Sequence, residues 1–229
     1  LRPGVERSFD SFATVSQIAR YHPPMAAGVQ ARRIGLFGGT FDPPHIGHLV
    51  PAIRAAEQLS LDVGLMVVAN VPWQKAGARP ISAAADRLAM VQAAVSGVER
   101  LEASDVEIRR GGQTFTIDTI AELRSSAPDD EIVVILGADA AAGLDTWQRP
   151  DDLRRECEIA VVDRPGAFAE VPDGFRVLRV EAPLLDVSST DIRRRVAAGR
   201  SVRFLVPDGA VAILERRRLY RDAHDGDRQ

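Results

Sequence analysis

Two histidines, His45 and His48, stand three residues apart at the end of FGGTFDPPHIGH, residues 37–48, a stretch that also holds Gly38, Gly39, Pro43 and Pro44. The apolar run RRIGLF precedes it and the helix-like LVPAIRAAEQL follows. Where a strand hands over to a helix, positions without side chains let a ligand approach the backbone. The opening amides and positive dipole end of the helix favour an anion there. With a helix starting near Ile46 or Gly47, the two histidines share one face of its first turn. Imidazoles beside a phosphate gain proton affinity, which suits neutralising charge during a reaction. The same residues could instead be a pair of metal ligands, although only Asp42 lies beside them, or two structural histidines.

The elements that must position them alternate along the chain. RIGLF, VGLMVVAN, part of LEASDVEIRR, EIVVILGAD, IAVVDRPG and FRVLRVE read as strands. Between and after them IGHLVPAIRAAEQLSL, SAAADRLAMVQAAVSG, TFTIDTIAELRSS, a stretch around DDLRREC, SSTDIRRRVAAG and DGAVAILERRR read as helices. Pro51 lies early in the first helix, where it would kink it or delay its regular start. Ser82 is the expected N-cap of the second helix, with Gly97 near its end. Such alternation predicts an α/β fold, a Rossmann-like doubly wound parallel sheet in a single domain, covered on both faces. Ligands in such a sheet bind beyond the carboxyl ends of the strands, near the point where strand order reverses.

Residues 1–31 show no sustained period and read as a disordered extension. The first Met is Met25, so the extension reads either as a mis-called start, with the true one at or near Met25, or as a real tail. Residues 32–220 carry the pattern, and 221–229 are a polar tail. A chain of 229 residues with 45% hydrophobic and 27% charged residues has enough length for a full core. Its net charge of -3 does not favour a broad nucleic-acid surface. The single Cys157 excludes an intrachain disulfide and, sitting between Glu156 and Glu158, reads as a spectator. A reducing cytoplasm is the expected compartment. No apolar stretch is long enough to span a bilayer. A homo-oligomer is compatible with all of this. Of 29 basic residues, only Lys75 is a lysine. In such an arginine-rich chain, that reads either as a position where arginine's wide planar fork fits poorly or as a chance lysine on a loop.

GGTFDPPHIGH closely resembles the (His/Thr)-x-Gly-His signature of the nucleotidylyltransferase superfamily. IGLFGGTFDPPHIGHL is similar to its nicotinate-mononucleotide adenylyltransferase branch. GGQTFTIDTI and VSSTDIRRRV resemble two further blocks of that branch, with LGAD, DTW and DRPG between them in family order. The resemblance spans residues 32 to about 220. It implies transfer of the adenylyl group of ATP to nicotinate mononucleotide, releasing pyrophosphate, with magnesium arriving mainly with ATP. The nucleophile is itself a phosphate with a second pKa of about 6. Neither a strong base nor a covalent intermediate is required, and alignment with charge stabilisation is.

By this resemblance His45 and His48 contact the ATP phosphates, and Gly38, Gly39, Thr40 and Phe41 wrap the nucleotide. Arg193 would face the triphosphate. Ser189 and Thr190 open a late helix, where hydroxyls either cap it or bind phosphate, and SSTD also reads as a capping box from Ser188 to Asp191. Gly137 and Asp139 follow a buried strand, and the carboxylate could hold a ribose hydroxyl or simply close a turn. Arg164 resembles a residue lining the ATP site. For nicotinate mononucleotide the expected contacts are Gly39, Thr40, Lys75, Thr116 and Trp147, the tryptophan stacking on the pyridine ring. The loop VPWQKAG departs from the family's common form and keeps only the lysine, and Phe115 replaces a usual tyrosine. Two other readings stand beside this one: a sister nucleotidylyltransferase with another phosphate acceptor, and a nucleotide-binding regulator without turnover.

Overall fold

The structure, a computed structural model, describes residues 31–71, 81–163 and 170–221. The expected extension, apart from its last residue, lies outside them. So do Lys75 with most of its loop, Arg164, and the tail beyond residue 221.

Six strands form one sheet: β1 (Arg33–Gly39), β2 (Val63–Val68), β3 (Leu101–Ser104), β4 (Glu131–Gly137), β5 (Glu158–Asp163) and β6 (Val177–Glu181). Their spatial order is β3-β2-β1-β4-β5-β6, and every pairing is parallel. This is the doubly wound order, and it reverses between β1 and β4. β4 owes its central place to composition, for Ile132–Leu136 is an unbroken buried apolar run that needs cover on both faces.

The helices are α1 (Ile46–Gln58), α2 (Ala84–Val95), α3 (Val106–Arg110), α4 (Thr116–Ser126), α5 (Ala138–Ala142), α6 (Pro150–Glu156), α7 (Ser189–Ala197) and α8 (Asp208–Arg216), with a 3-10 turn at Leu144–Thr146. They divide between two cores. One holds Leu49, Ala52, Met90, Val91, Ile192 and Val211, so it lies under α1, α2, α7 and α8. The other holds Val106, Ile117, Ile120, Ala141, Leu144 and Leu153, under α3 to α6. Burial on this scale, at roughly 25 cal/mol per Å² of apolar surface, is the main force holding the helices to the sheet.

Local differences from the sequence reading have physical reasons. The first strand runs two residues beyond RIGLF: Gly38 and Gly39 belong to β1, in register with Val67 and Val68. Ser82 does not cap α2. The N-cap is Ala83, without a side-chain hydrogen bond, while the Ser82 carbonyl accepts from Arg87 Nε at 2.9 Å. The short helices α3 and α5 each follow directly on a strand and were not foreseen. Pro51 sits inside α1, and its missing N–H leaves the Gly47 carbonyl without the usual donor four residues on.

Candidate active site

Alternation along β1 gives its two glycines different tasks. Gly38 shares the face of Ile34 and Leu36, and a Cβ there would meet nothing within 4 Å. Gly39 points to the other face, where a Cβ would fall 2.7 Å from the ring of Phe41. Phe41 itself has φ 50°, a left-handed conformation costly for an aromatic residue. It is held there by burial: the ring is 1% exposed and stacks on Phe37 at 6.2 Å. This inverted residue swings the chain from β1 towards α1.

α1 then starts at Ile46 with His45 as N-cap. The imidazoles of His45 and His48 lie 3.8 Å apart between centroids, so they do share a face. The His45 backbone N–H donates to His48 Nδ1 at 3.3 Å, which puts the proton of a neutral His48 ring on Nε2. His45 is 4% exposed, and its Nδ1 is buried without a hydrogen-bond partner. Burial pushes its pKa down from 6.5 to about 4, so the ring is neutral near pH 7 until an anion joins it. The glycine of His-x-Gly-His has a steric cause, since a Cβ at Gly47 would fall 2.9 Å from His45 Nδ1. One expectation changes. The first amide of α1 is not open to a ligand, because Ile46 N–H donates to the Leu205 carbonyl at 2.9 Å.

α7 approaches the same turn. Ser188 is its cap, accepting from the Asp191 amide at 3.1 Å, as the SSTD pattern suggested. That leaves Ser189 to another role, and its hydroxyl donates to the Pro43 carbonyl at 2.9 Å. Arg193 donates to the Asp42 carbonyl at 2.7 Å and to Thr190 Oγ1 at 3.0 Å. His45, His48, Ser189, Thr190 and Arg193 are therefore gathered at one turn. Gly137 and Asp139 stand at the C-terminal end of β4, both exposed, next to β1 across the reversal of strand order.

On the other face the strand ends open into a cavity of about 200 Å³. Gly38 and Gly39 line it from β1, Thr40 from just beyond it, Thr116 from the start of α4, and Trp147 from beyond the 3-10 turn. Four of the five residues expected to contact the acceptor thus border one space. Its floor is apolar, with Leu36, Val67, Val134 and Leu136. Its polar wall was missed by sequence reasoning. Glu107, on α3, is 8% exposed and accepts from Thr119 Oγ1 at 2.9 Å. Burial raises its pKa above the ordinary carboxylate value, partly offset by Thr119 and Arg110.

Arg87 was missed as well. It is 1% exposed and donates to four main-chain carbonyls: Ser82, Thr40, Ala69 and Asn70, at 2.7–2.9 Å. It thereby ties the signature turn to the end of β2 and to both flanks of the loop that carries Lys75. Cys157 is buried, its thiol pushed up to about 12 by burial, and it lines neither the cavity nor the histidine turn.

The chain matches the profile of the cytidylyltransferase-like family over residues 36–195. It is 45% identical over 188 residues to a protein of Exiguobacterium sibiricum named a probable nicotinate-nucleotide adenylyltransferase, covering 82% of this chain and 98% of that protein. A Mycolicibacterium vanbaalenii protein of the same name is 41% identical over 211 residues, covering 88% of this chain and 98% of that protein. Among solved structures, Plasmodium falciparum nicotinic acid mononucleotide adenylyltransferase complexed with NaAD superimposes with a TM-score of 0.68 at 16% identity. The match covers 82% of this chain and 97% of that one.

Proposed function

The chain belongs to the cytidylyltransferase-like family and, within it, to the nicotinate-nucleotide adenylyltransferases, and from that premise we propose how its site works. The enzyme transfers the adenylyl group of ATP to nicotinate mononucleotide, giving nicotinate adenine dinucleotide and pyrophosphate. A phosphate oxygen of the mononucleotide attacks the α-phosphorus, and the bond from that phosphorus to the bridging oxygen of pyrophosphate breaks.

One observation carries this reading. The tip of β1 borders the cavity of Thr116 and Trp147 through Gly38 and Thr40, and five residues later the same chain places His45 and His48 in contact. An acceptor seated in the cavity and a triphosphate on the histidines would meet at that tip.

The roles follow from the chemistry. Trp147 stacks on the pyridine ring, and Thr116 at the opening of α4 faces its carboxylate. Gly38, Gly39, Thr40 and Phe41 shape the strand end against the nucleotide. His45 and His48 take up charge on the departing pyrophosphate, helped by Arg193 and by Lys75. Ser189 and Thr190 hold the turn and the guanidinium. Asp139, beyond Gly137, takes a ribose hydroxyl, and Arg164 lines the ATP site. No base is needed, since the attacking phosphate is ionised near pH 7.

Magnesium enters as part of the MgATP substrate. The phosphate oxygens would be its main ligands, and the protein would hold the phosphates. No helix of the described residues is long and apolar enough to cross a membrane, and the cytoplasm is the proposed compartment.

The test is pyrophosphate release from MgATP with nicotinate mononucleotide or nicotinamide mononucleotide, the product identified by mass. Preference for the acid is expected. ATP binding without pyrophosphate release on either acceptor would overturn the assignment.

A further inference from the structure

We propose that Tyr220 is a positioning residue for this reaction, acting through the buried carboxylate of Asp42; the inference rests on the function proposed above. The phenol donates to Asp42 Oδ1 at 2.7 Å, across 178 residues of chain. Asp42 is 1% exposed and lies in the turn between Thr40 and His45, three residues before the first histidine.

That turn has to be held from outside. It contains Phe41 in a left-handed conformation, which a free chain would relax. Its carbonyls are held from two helices: Thr40 by Arg87 of α2, and Asp42 and Pro43 by Arg193 and Ser189 of α7. The carboxylate of Asp42 is a separate requirement. A carboxylate withdrawn from water needs donors, and the Tyr220 hydroxyl supplies one at hydrogen-bond distance. Arg87 adds a favourable charge, since Asp42 raises the proton affinity of that guanidinium.

Tyr220 is built for the task. After α8 the chain doubles back, with Leu219 N–H on the Leu214 carbonyl at 3.0 Å and Tyr220 at φ 64°. The residue packs against the core under α1, α2, α7 and α8. Burial and the neighbouring Asp42 carboxylate raise the phenol's pKa, so it remains a donor at neutral pH. The three supports thus come from α2, α7 and the segment beyond α8, and all converge on one turn that leads directly into the histidines. The last of them lies far from the signature in sequence.

The experiment compares wild type with Tyr220→Phe, which removes one hydroxyl and keeps the packed ring. Pyrophosphate release is measured with MgATP and nicotinate mononucleotide, with melting temperature on the same preparations. A positioning role predicts kcat lowered about tenfold, the size of one charge-assisted hydrogen bond, with KM for the mononucleotide within about threefold of wild type. In the Asp42→Ala background, the same tyrosine change should have no further effect on kcat. A kcat within twofold of wild type overturns the inference, even with a lowered melting temperature, because the hydroxyl would then serve folding alone. So does an undiminished effect in the Asp42→Ala background. Silence of the wild-type chain with either acceptor would instead remove the functional reading on which the inference stands, and the inference with it.

Discussion

Gly47→Ala should separate catalysis from folding. A methyl at position 47 would sit 2.9 Å from His45 Nδ1, 3.0 Å from its Cε1 and 3.3 Å from the Val187 carbonyl oxygen. Ordinary contacts begin near 3.4 Å, so the imidazole must retreat by about half an ångström, the difference between 3.4 and 2.9 Å. On stability two effects compete. Alanine gains up to about 1 kcal/mol over glycine in a helix, and forcing a methyl into a packed site costs roughly 1–3 kcal/mol. The net lies between neutral and about 3 kcal/mol destabilising, a fall of at most about 12 °C in a protein of this size. On activity the effects do not compete. A misplacement of 1 Å costs on the order of 100-fold, so half that displacement of His45 should cost about tenfold in kcat. Pyrophosphate release at saturating MgATP and nicotinate mononucleotide measures the second quantity, and a melting curve the first. A variant with wild-type kcat, at any melting temperature, would refute the argument that glycine is required here to seat the His45 ring.

Protonation of His45 gives a second test, and its sign is fixed by the shift from 6.5 to about 4. Between those values the unfolded chain binds a proton that the folded chain does not, so stability is fully present above pH 6.5 and falls by about 3 kcal/mol as pH drops towards 4. Denaturation of His45→Gln should lack that component of the slope, and an unchanged slope would contradict it. ATP binding near pH 5.5 should take up a proton, measurable by calorimetry in two buffers of different ionisation enthalpy. Two imidazolium rings 3.8 Å apart repel by about 4 kcal/mol at an effective dielectric of 20, so uptake by the pair should not exceed about one. Trp147→Ala should raise KM for nicotinate mononucleotide about tenfold, the loss of one ring stack, and leave KM for ATP within about threefold. Equal changes in both would remove Trp147 from the acceptor site. Lys75→Arg should lower turnover while the melting temperature stays put, and wild-type turnover would end the single-lysine argument.

Much of this was legible in the sequence because it was written in local patterns. The apolar runs gave all six strands, and HIGH at a strand-to-helix junction gave the histidine pair. What escaped was non-local. Arg87 carries no sequence signal of burial, since arginines are expected outside and its partners are main-chain carbonyls, which every residue type supplies. Glu107 lies in LEASDVEIRR, which shows its strand clearly and its five-residue helix hardly at all. Tyr220 stands at the edge of the polar tail, and only the folded chain brings it to Asp42. Ser82 shows the converse. It is a favoured capping residue beside a helix start, yet the cap is Ala83, while Arg87 engages the serine's own carbonyl.

The division of the helices into two cores has a stereochemical consequence. The cavity lined by Thr116 and Trp147, the proposed acceptor site, belongs to the face of α3 to α6, while the histidine turn belongs to the face of α1 and α7. The tip of β1, with Gly38 and Gly39, borders the cavity and leads into the histidine turn. With the substrates seated as proposed, an oxygen arriving from the first face and a pyrophosphate leaving towards the second lie on opposite sides of the phosphorus. One displacement in that arrangement turns the phosphorus centre inside out. ATP chiral at its α-phosphorus, made so by sulfur substitution, should therefore yield a dinucleotide of inverted configuration. Retention would require two successive displacements, and with them a group on the protein that carries the adenylyl moiety in between.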